Sequence, residues 1–204
     1  MKNENFISGY LEEMRNVTEK ICREDIDKVV ELLYQAWQRD RRVFICGNGG
    51  SAGTASHFTC DLAKATIVDS KKRFKAICLN DNASLISALT NDNGFENLYI
   101  EQLYNLYQPG DVLVCISVHG GAGKDKAGLW SQNLLKAMKY VSDNGGKTVG
   151  FSGFDGGPMK EIADACVVVP ADSTPQVESF HLALEHLVCS CLKTKIMETS
   201  SVMV

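Results

Sequence analysis

From Val43 to Pro170 the chain alternates short, almost wholly apolar runs with stretches of helical periodicity, and that alternation restricts the fold more than any other feature. Val112-Leu113-Val114-Cys115-Ile116 is apolar at every position. A half-exposed strand would alternate, so this one belongs in a sheet covered on both faces, as parallel sheets are. Comparable runs occur at Val43 to Cys46, Phe74 to Leu79, Lys147 to Ser152 and Ala165 to Pro170. Between them lie a helix ending near Leu62, helical segments over 83–107 that Pro109-Gly110 stops, a helix near Leu129 to Asp143, and a short helix before the last strand. A final helix covers Thr174 to Ile196. Five strands alternating with helices predict an α/β fold with an open, doubly wound, five-stranded parallel sheet.

Two helices precede the first strand. One passes through Ile7, Leu11 and Met14; the other starts at Asp25 as its N-cap and carries Ile26, Val29, Val30, Leu33 and Trp37 at helical spacing. They cannot bury their apolar stripes alone, so they pack on the domain or on another subunit. The chain therefore divides into an N-terminal helical segment, 1–40, and a main domain, 41–197. Trp37 and Trp130 read as packing residues, and Ser200 to Val204 as a frayed end. With 204 residues, 45% of them hydrophobic and 23% charged, wholesale disorder is excluded. The net charge of -4, with no basic block beyond Lys71-Lys72-Arg73, makes nucleic acid an unexpected partner. No leader-like segment opens the chain and no apolar run reaches membrane-spanning length, so a soluble, cytoplasmic protein is expected. The eight cysteines fit that setting, since Cys46, Cys78, Cys115 and Cys166 sit inside apolar runs where a reduced thiol packs as a small hydrophobe.

Ligands of such sheets bind beyond the carboxyl ends of the strands. Two of those ends carry glycine-rich loops here: Cys46-Gly-Asn-Gly-Gly-Ser51 and Ser117-Val-His-Gly-Gly-Ala-Gly123. The first turns from strand into helix and aims backbone N–H groups at an anion. It matches neither the dinucleotide-binding nor the P-loop pattern. Together the loops suggest an oxyanion ligand such as a sugar phosphate. His57 and Asp61, four apart on one helix face, suit a general acid–base pair or two ligands of one metal. Glu178, His181, Glu185 and His186 crowd the last helix.

Cys46-Gly-Asn-Gly-Gly-Ser51, His57-Phe58 and Asp61-Leu62 together resemble the opening motif of sugar isomerase (SIS) domains, above all phosphoheptose isomerases. Asn91-Asp92-Asn93-Gly94-Phe95, Gly153-Phe154-Asp155-Gly156-Gly157 and the tail from Thr174 through Glu178 to His181 and His186 extend the resemblance over residues 25 to 196. It implies a flavodoxin-like sheet in a homotetramer with interfacial active sites, the leading helices forming an inter-subunit bundle. It implies an aldose–ketose isomerase converting sedoheptulose 7-phosphate to D-glycero-D-manno-heptose 7-phosphate through an enediol. By the same resemblance, Asp61 and His186 are the acid–base residues. A divalent metal, usually zinc, falls on His57, Asp61, Glu178 and His186. Substrate contacts fall on Asn48, Gly49, Gly50, Ser51, Asp61, Asn91, Asp92, Ser117, Val118, His119 and Glu178.

The chain departs from the family pattern at three points. The catalytic Glu is Asp61, and the family Gln is Glu178, whose charge favours a divalent ion. The hydroxyl-rich phosphate loop has become Ser117-Val-His-Gly-Gly-Ala122, where His119, backbone N–H groups and Lys124 stand in for hydroxyls. The second reading is a non-catalytic SIS protein that binds a phosphosugar or recruits partners, DNA-replication initiators among them. Such a protein has no use for Asp61 and His186.

Overall fold

The computed structural model describes residues 2–121 and 131–199. The sequence readings that fall on Ala122, Gly123, Lys124, Leu129, Trp130 and 200–204 lie outside the described residues. Helices α1 (Lys2–Lys20) and α2 (Arg23–Gln38) lead into β1 (Arg42–Gly47) and α3 (Gly50–Lys64). Next come β2 (Lys75–Cys78), α4 (Ala83–Asn93), a 3-10 turn at Phe95–Asn97 and α5 (Leu98–Leu106). The chain continues with β3 (Val112–Ile116), α6 (Gln132–Asp143), β4 (Lys147–Gly153), α7 (Gly157–Ile162), β5 (Ala165–Val169) and α8 (Thr174–Glu198).

The sheet has five strands in the order β2-β1-β3-β4-β5, all neighbouring pairs parallel. This is the flavodoxin-like doubly wound order, with its switch point between β1 and β3. Alternate residues of one strand feed two separate cores. Val43 and Ile45 of β1 join Val112, Val114 and Ile116 of β3 beneath α2, α3 and α8. Phe44 and Cys46 join Leu113 and Cys115 beneath α5 and α6 on the other face. The middle strand, β3, is apolar throughout because each of its faces must fill a core. All eight cysteines are free thiols; Cys46 and Cys115, paired in register across β1 and β3, bring their Sγ atoms to 3.6 Å.

The N-terminal segment is not one unit. Val29, Val30, Leu33, Ala36 and Trp37 of α2 are buried in the same core as the sheet, and the Trp37 indole N–H donates to the Lys72 carbonyl at 2.9 Å. In contrast, α1 leaves Phe6, Ile7 and Leu11 exposed. The N-cap of helix α2 is Cys22, three residues before the expected Asp25. Asp25 lies instead in the first turn, where its carboxylate accepts from Lys28 at 2.9 Å and complements the positive end of the helix. Among the described residues, no helix is long and apolar enough to cross a membrane.

Candidate active site

The switch point holds a cavity of about 240 Å³, lined by Asn48, Gly49 and Ser51 after β1, by Ser117, Val118 and His119 after β3, and by Ser131 and Glu178. Both glycine loops thus reach one cavity, and each is held by its backbone. Gly49 has φ +58° and ψ -125°, which a side chain would resist, and this lets the chain reverse from β1 into the first turn of α3. Below it, the Asn80 side-chain amide both accepts from the Gly47 N–H at 3.1 Å and donates to the Gly47 carbonyl at 3.0 Å. Asn48 is locked by a reciprocal pair of side-chain hydrogen bonds with Asn133, each amide N–H donating to the other's Oδ1 at 2.9 Å, and donates to Ser131 Oγ at 3.2 Å. In the second loop, Gly120 has φ +60°, and a Cβ there would run into the Gly156 carbonyl oxygen. Its own carbonyl accepts from the Met159 N–H at 2.9 Å, tying the loop to α7. The His119 ring lies 4.3 Å from that of Phe154, centre to centre.

Glu178, at the start of α8, packs its carboxylate against Gly50, where any Cβ would collide with it. Any residue other than glycine at position 50 would therefore push the Glu178 carboxylate out of this position.

Farther along the same two helices a second group assembles. Asp61 Oδ2 lies 3.7 Å from His57 Nε2 and 3.4 Å from His186 Nε2, and the two Nε2 atoms are 3.1 Å apart. Glu185 Oε1 approaches His57 Nε2 to 3.9 Å. One ligand atom from each of His57, Asp61, Glu185 and His186 lies within 4.8 Å of all the others. A tetrahedral ion with bonds of about 2.1 Å would set its ligands about 3.4 Å apart, so the observed spacing fits one divalent cation.

Glu185 differs from its neighbours. It is 1% exposed, and neither carboxylate oxygen has a hydrogen-bond partner. Burial, with a smaller contribution from Asp61, pushes its carboxyl up to about 8. A buried, unpartnered polar group costs about 1–3 kcal/mol, more when charged, so it calls for a partner such as a cation. His181, one turn earlier, is buried against the sheet with Nε2 3.1 Å from the Ser152 carbonyl; burial pulls it down to about 4, and it stays neutral.

These positions sort the residues anticipated from sequence. Asn48, Gly49, Ser51, Ser117, Val118, His119 and Glu178 share the cavity, with Gly50 against Glu178. His57, Asp61 and His186 share the cluster. Glu178 does not join them: eight residues along a helix is about 12 Å of rise, and Glu185 occupies that place instead. Asn91 and Asp92 also stand apart, exposed at the end of α4 and bonded to each other at 2.7 Å. Sequence reasoning did not single out Asn80 and Asn133 as supports of this loop, nor Tyr99, whose hydroxyl meets the Gly47 carbonyl and lies 3.0 Å from Asn48 Oδ1; all three act through contacts between segments far apart in the chain.

Known proteins resemble this chain in sequence and fold. The SIS domain family model matches residues 9–153. A lincomycin biosynthesis protein, LmbN, of Streptomyces lincolnensis is 38% identical over 187 residues, 90% of this chain and 67% of its own. The phosphoheptose isomerase of Geotalea daltonii is 34% identical over 193 residues, 93% of this chain and 95% of its own. Among solved structures, the phosphoheptose isomerase of Neisseria gonorrhoeae superposes with a TM-score of 0.82 at 27% identity, over 94% of this chain and 98% of that one.

Proposed function

Because the chain belongs to the SIS-domain family of phosphoheptose isomerases, we propose that it interconverts sedoheptulose 7-phosphate and D-glycero-D-manno-heptose 7-phosphate. What supports this reading is the placement of two sites along one pair of helices. A cavity lined by both glycine loops lies at the N-terminal ends of α3 and α8, and the His57, Asp61 and His186 cluster lies farther along both. From Gly50 to His57, and from Glu178 to His186, the helical rise is about 10–12 Å, which an open-chain heptose phosphate can span.

In this reading the phosphate rests in the cavity against Ser51, Ser117 and loop N–H groups, and the far end of the sugar reaches the cluster. Asp61 and His186 carry the protons. One removes the proton from C1 of the ketose while the other protonates the C2 carbonyl oxygen, giving the enediol. The O1 proton is then surrendered and a proton returned to C2, giving the aldose with no net gain or loss of protons. His57, Asp61 and His186 would hold a divalent ion, zinc in this family's habit, and such an ion would polarise the sugar oxygens. Glu178, at the cavity, accepts hydrogen bonds from sugar hydroxyls.

The active form in this reading is a homotetramer. Phe6 is 73% exposed, and Ile7 and Leu11 are more than half exposed on α1, an apolar stripe that the protomer leaves uncovered. Asn91 and Asp92, remote from the cavity within one protomer, then serve the site of a neighbour. Leu11→Asp is expected to weaken assembly, read by light scattering as a fall in mass at micromolar concentration. A 22.4 kDa wild-type particle under those conditions would refute the tetramer and the interfacial site.

A protein that merely binds phosphosugars has no need of three clustered acid–base side chains, which favours the enzyme. The test is a panel of ketose phosphates of differing chain length, with aldose formation followed directly. Conversion of sedoheptulose 7-phosphate, faster than that of shorter or longer ketose phosphates, is expected. Tight binding across the panel with no aldose formed would favour the non-catalytic reading.

A further inference from the structure

We propose that Glu185 is a ligand of the divalent cation held by His57, Asp61 and His186, taking the place that the resemblance gives to Glu178, an inference that rests on reading the cluster as a cation site. Its carboxylate is 1% exposed and both oxygens lack a partner. One oxygen lies 3.9 Å from His57 Nε2, and a ligand atom of Glu185 falls within 4.8 Å of one from each of the other three residues. Glu178, two helical turns away, lines the cavity against Gly50 instead.

The two acids therefore divide the work. On α8, Val177, Phe180, Leu184, Val188 and Leu192 form the buried stripe. Glu185 lies within that buried side of the helix, and the packing of α8 on α3 aims it at His57 rather than at water. Two imidazoles and two carboxylates match Zn²⁺ in charge and donor type, and with Glu185 as ligand that set is complete without Glu178. Glu178 is left free to contact the sugar.

The test uses the purified full-length chain, stripped by chelator and titrated with Zn²⁺ against a chromophoric competitor. Glu185→Gln and Glu185→Leu are expected to weaken Zn²⁺ binding by about 100-fold or more, since even groups that only support a ligand are worth about 10–100-fold. Glu178→Gln should leave affinity within about threefold, the effect of a charge about 12 Å away in a watery setting. Loss in Glu178→Gln with retention in both Glu185 variants would overturn the assignment while leaving the cation reading in place. Equal losses at both positions would overturn the exchange of one acid for the other. Wild-type protein that binds no Zn²⁺ would overturn the cation reading with it, and aldose formation in excess chelator would then show the isomerase reading to be independent of metal. Thermal melts separate binding from folding: the zinc-free Glu185→Leu protein should melt above zinc-free wild type, because an unpartnered buried acid has been removed, and should show no rise on adding Zn²⁺. A wild-type rise in that variant would also overturn the assignment.

Discussion

His186→Asn should lower kcat by about 10²–10⁴-fold, the usual worth of one positioned acid or base, while leaving KM close to wild type. The split follows from the layout. His186 sits on α8 with its Nε2 3.4 Å from Asp61 Oδ2, whereas the cavity proposed for the phosphate is formed by residues of the β1 and β3 loops, Ser131 and Glu178. Its side chain is 49% exposed, so truncation opens no void in the core and the fold should be retained. Asp61→Asn should cost a similar factor, and the double variant little more than either single one, since two groups that shuttle protons for one enediol act as a unit. A role in holding a cation predicts something different from a role in moving protons. If His186 only held the ion, excess Zn²⁺ would restore the rate; if it moves protons, the deficit persists at saturating metal. Activity within tenfold of wild type in His186→Asn would remove this residue from the acid–base chemistry.

The sheet was legible because its strands carry their own evidence. Val112 to Ile116 is apolar on both faces, and β3 lies between β1 and β4 with every residue buried. Strand ends were equally clear where Gly47-Asn48-Gly49-Gly50 and Gly120-Gly121 break the pattern. The start of α2 was harder, since Asp25 has a capping residue's chemistry but the chain is already helical from Arg23. Glu178 and Glu185 show a deeper limit. Both occur on one amphipathic helix with two histidines, and spacing alone does not say which acid turns toward His57. That depends on how α8 is rotated against α3, which is fixed by the packing of Phe180, Leu184 and Val188 in the shared core. One signal was available: Glu185 directly follows Leu184 in the buried stripe, and an acid among core residues is informative where an acid on a surface is not. Asn133, which locks Asn48 across 85 residues of chain, left no comparable trace in the sequence.

Ser51→Asp should raise KM for the phosphosugar by about 10³-fold and abolish competitive inhibition by inorganic phosphate. Ser51 is 3% exposed in the first turn of α3 and lines the cavity at the switch point. A carboxylate placed there faces the phosphate at contact distance. At about 4 Å and an effective dielectric constant near 20, two unit charges repel by about 4 kcal/mol, which is about a thousandfold in affinity. The substitution should not unfold the chain. Asp is favourable in a helix's first turn, where it meets the positive end of the macrodipole, and the new side chain has a cavity beside it rather than packed core. His57, Asp61 and His186 lie a turn or more farther along the helices, so Zn²⁺ affinity should change far less than substrate affinity. Ser51→Ala serves as the companion: it removes one hydroxyl without adding charge and should cost about tenfold or less, the worth of a single hydrogen bond. Ser51→Asn adds the same bulk without the charge, so a much larger loss in Ser51→Asp than in Ser51→Asn reports an anion against Ser51. A folded Ser51→Asp protein with unchanged phosphosugar affinity would place the phosphate elsewhere, and with it the direction in which the sugar runs along α3 and α8.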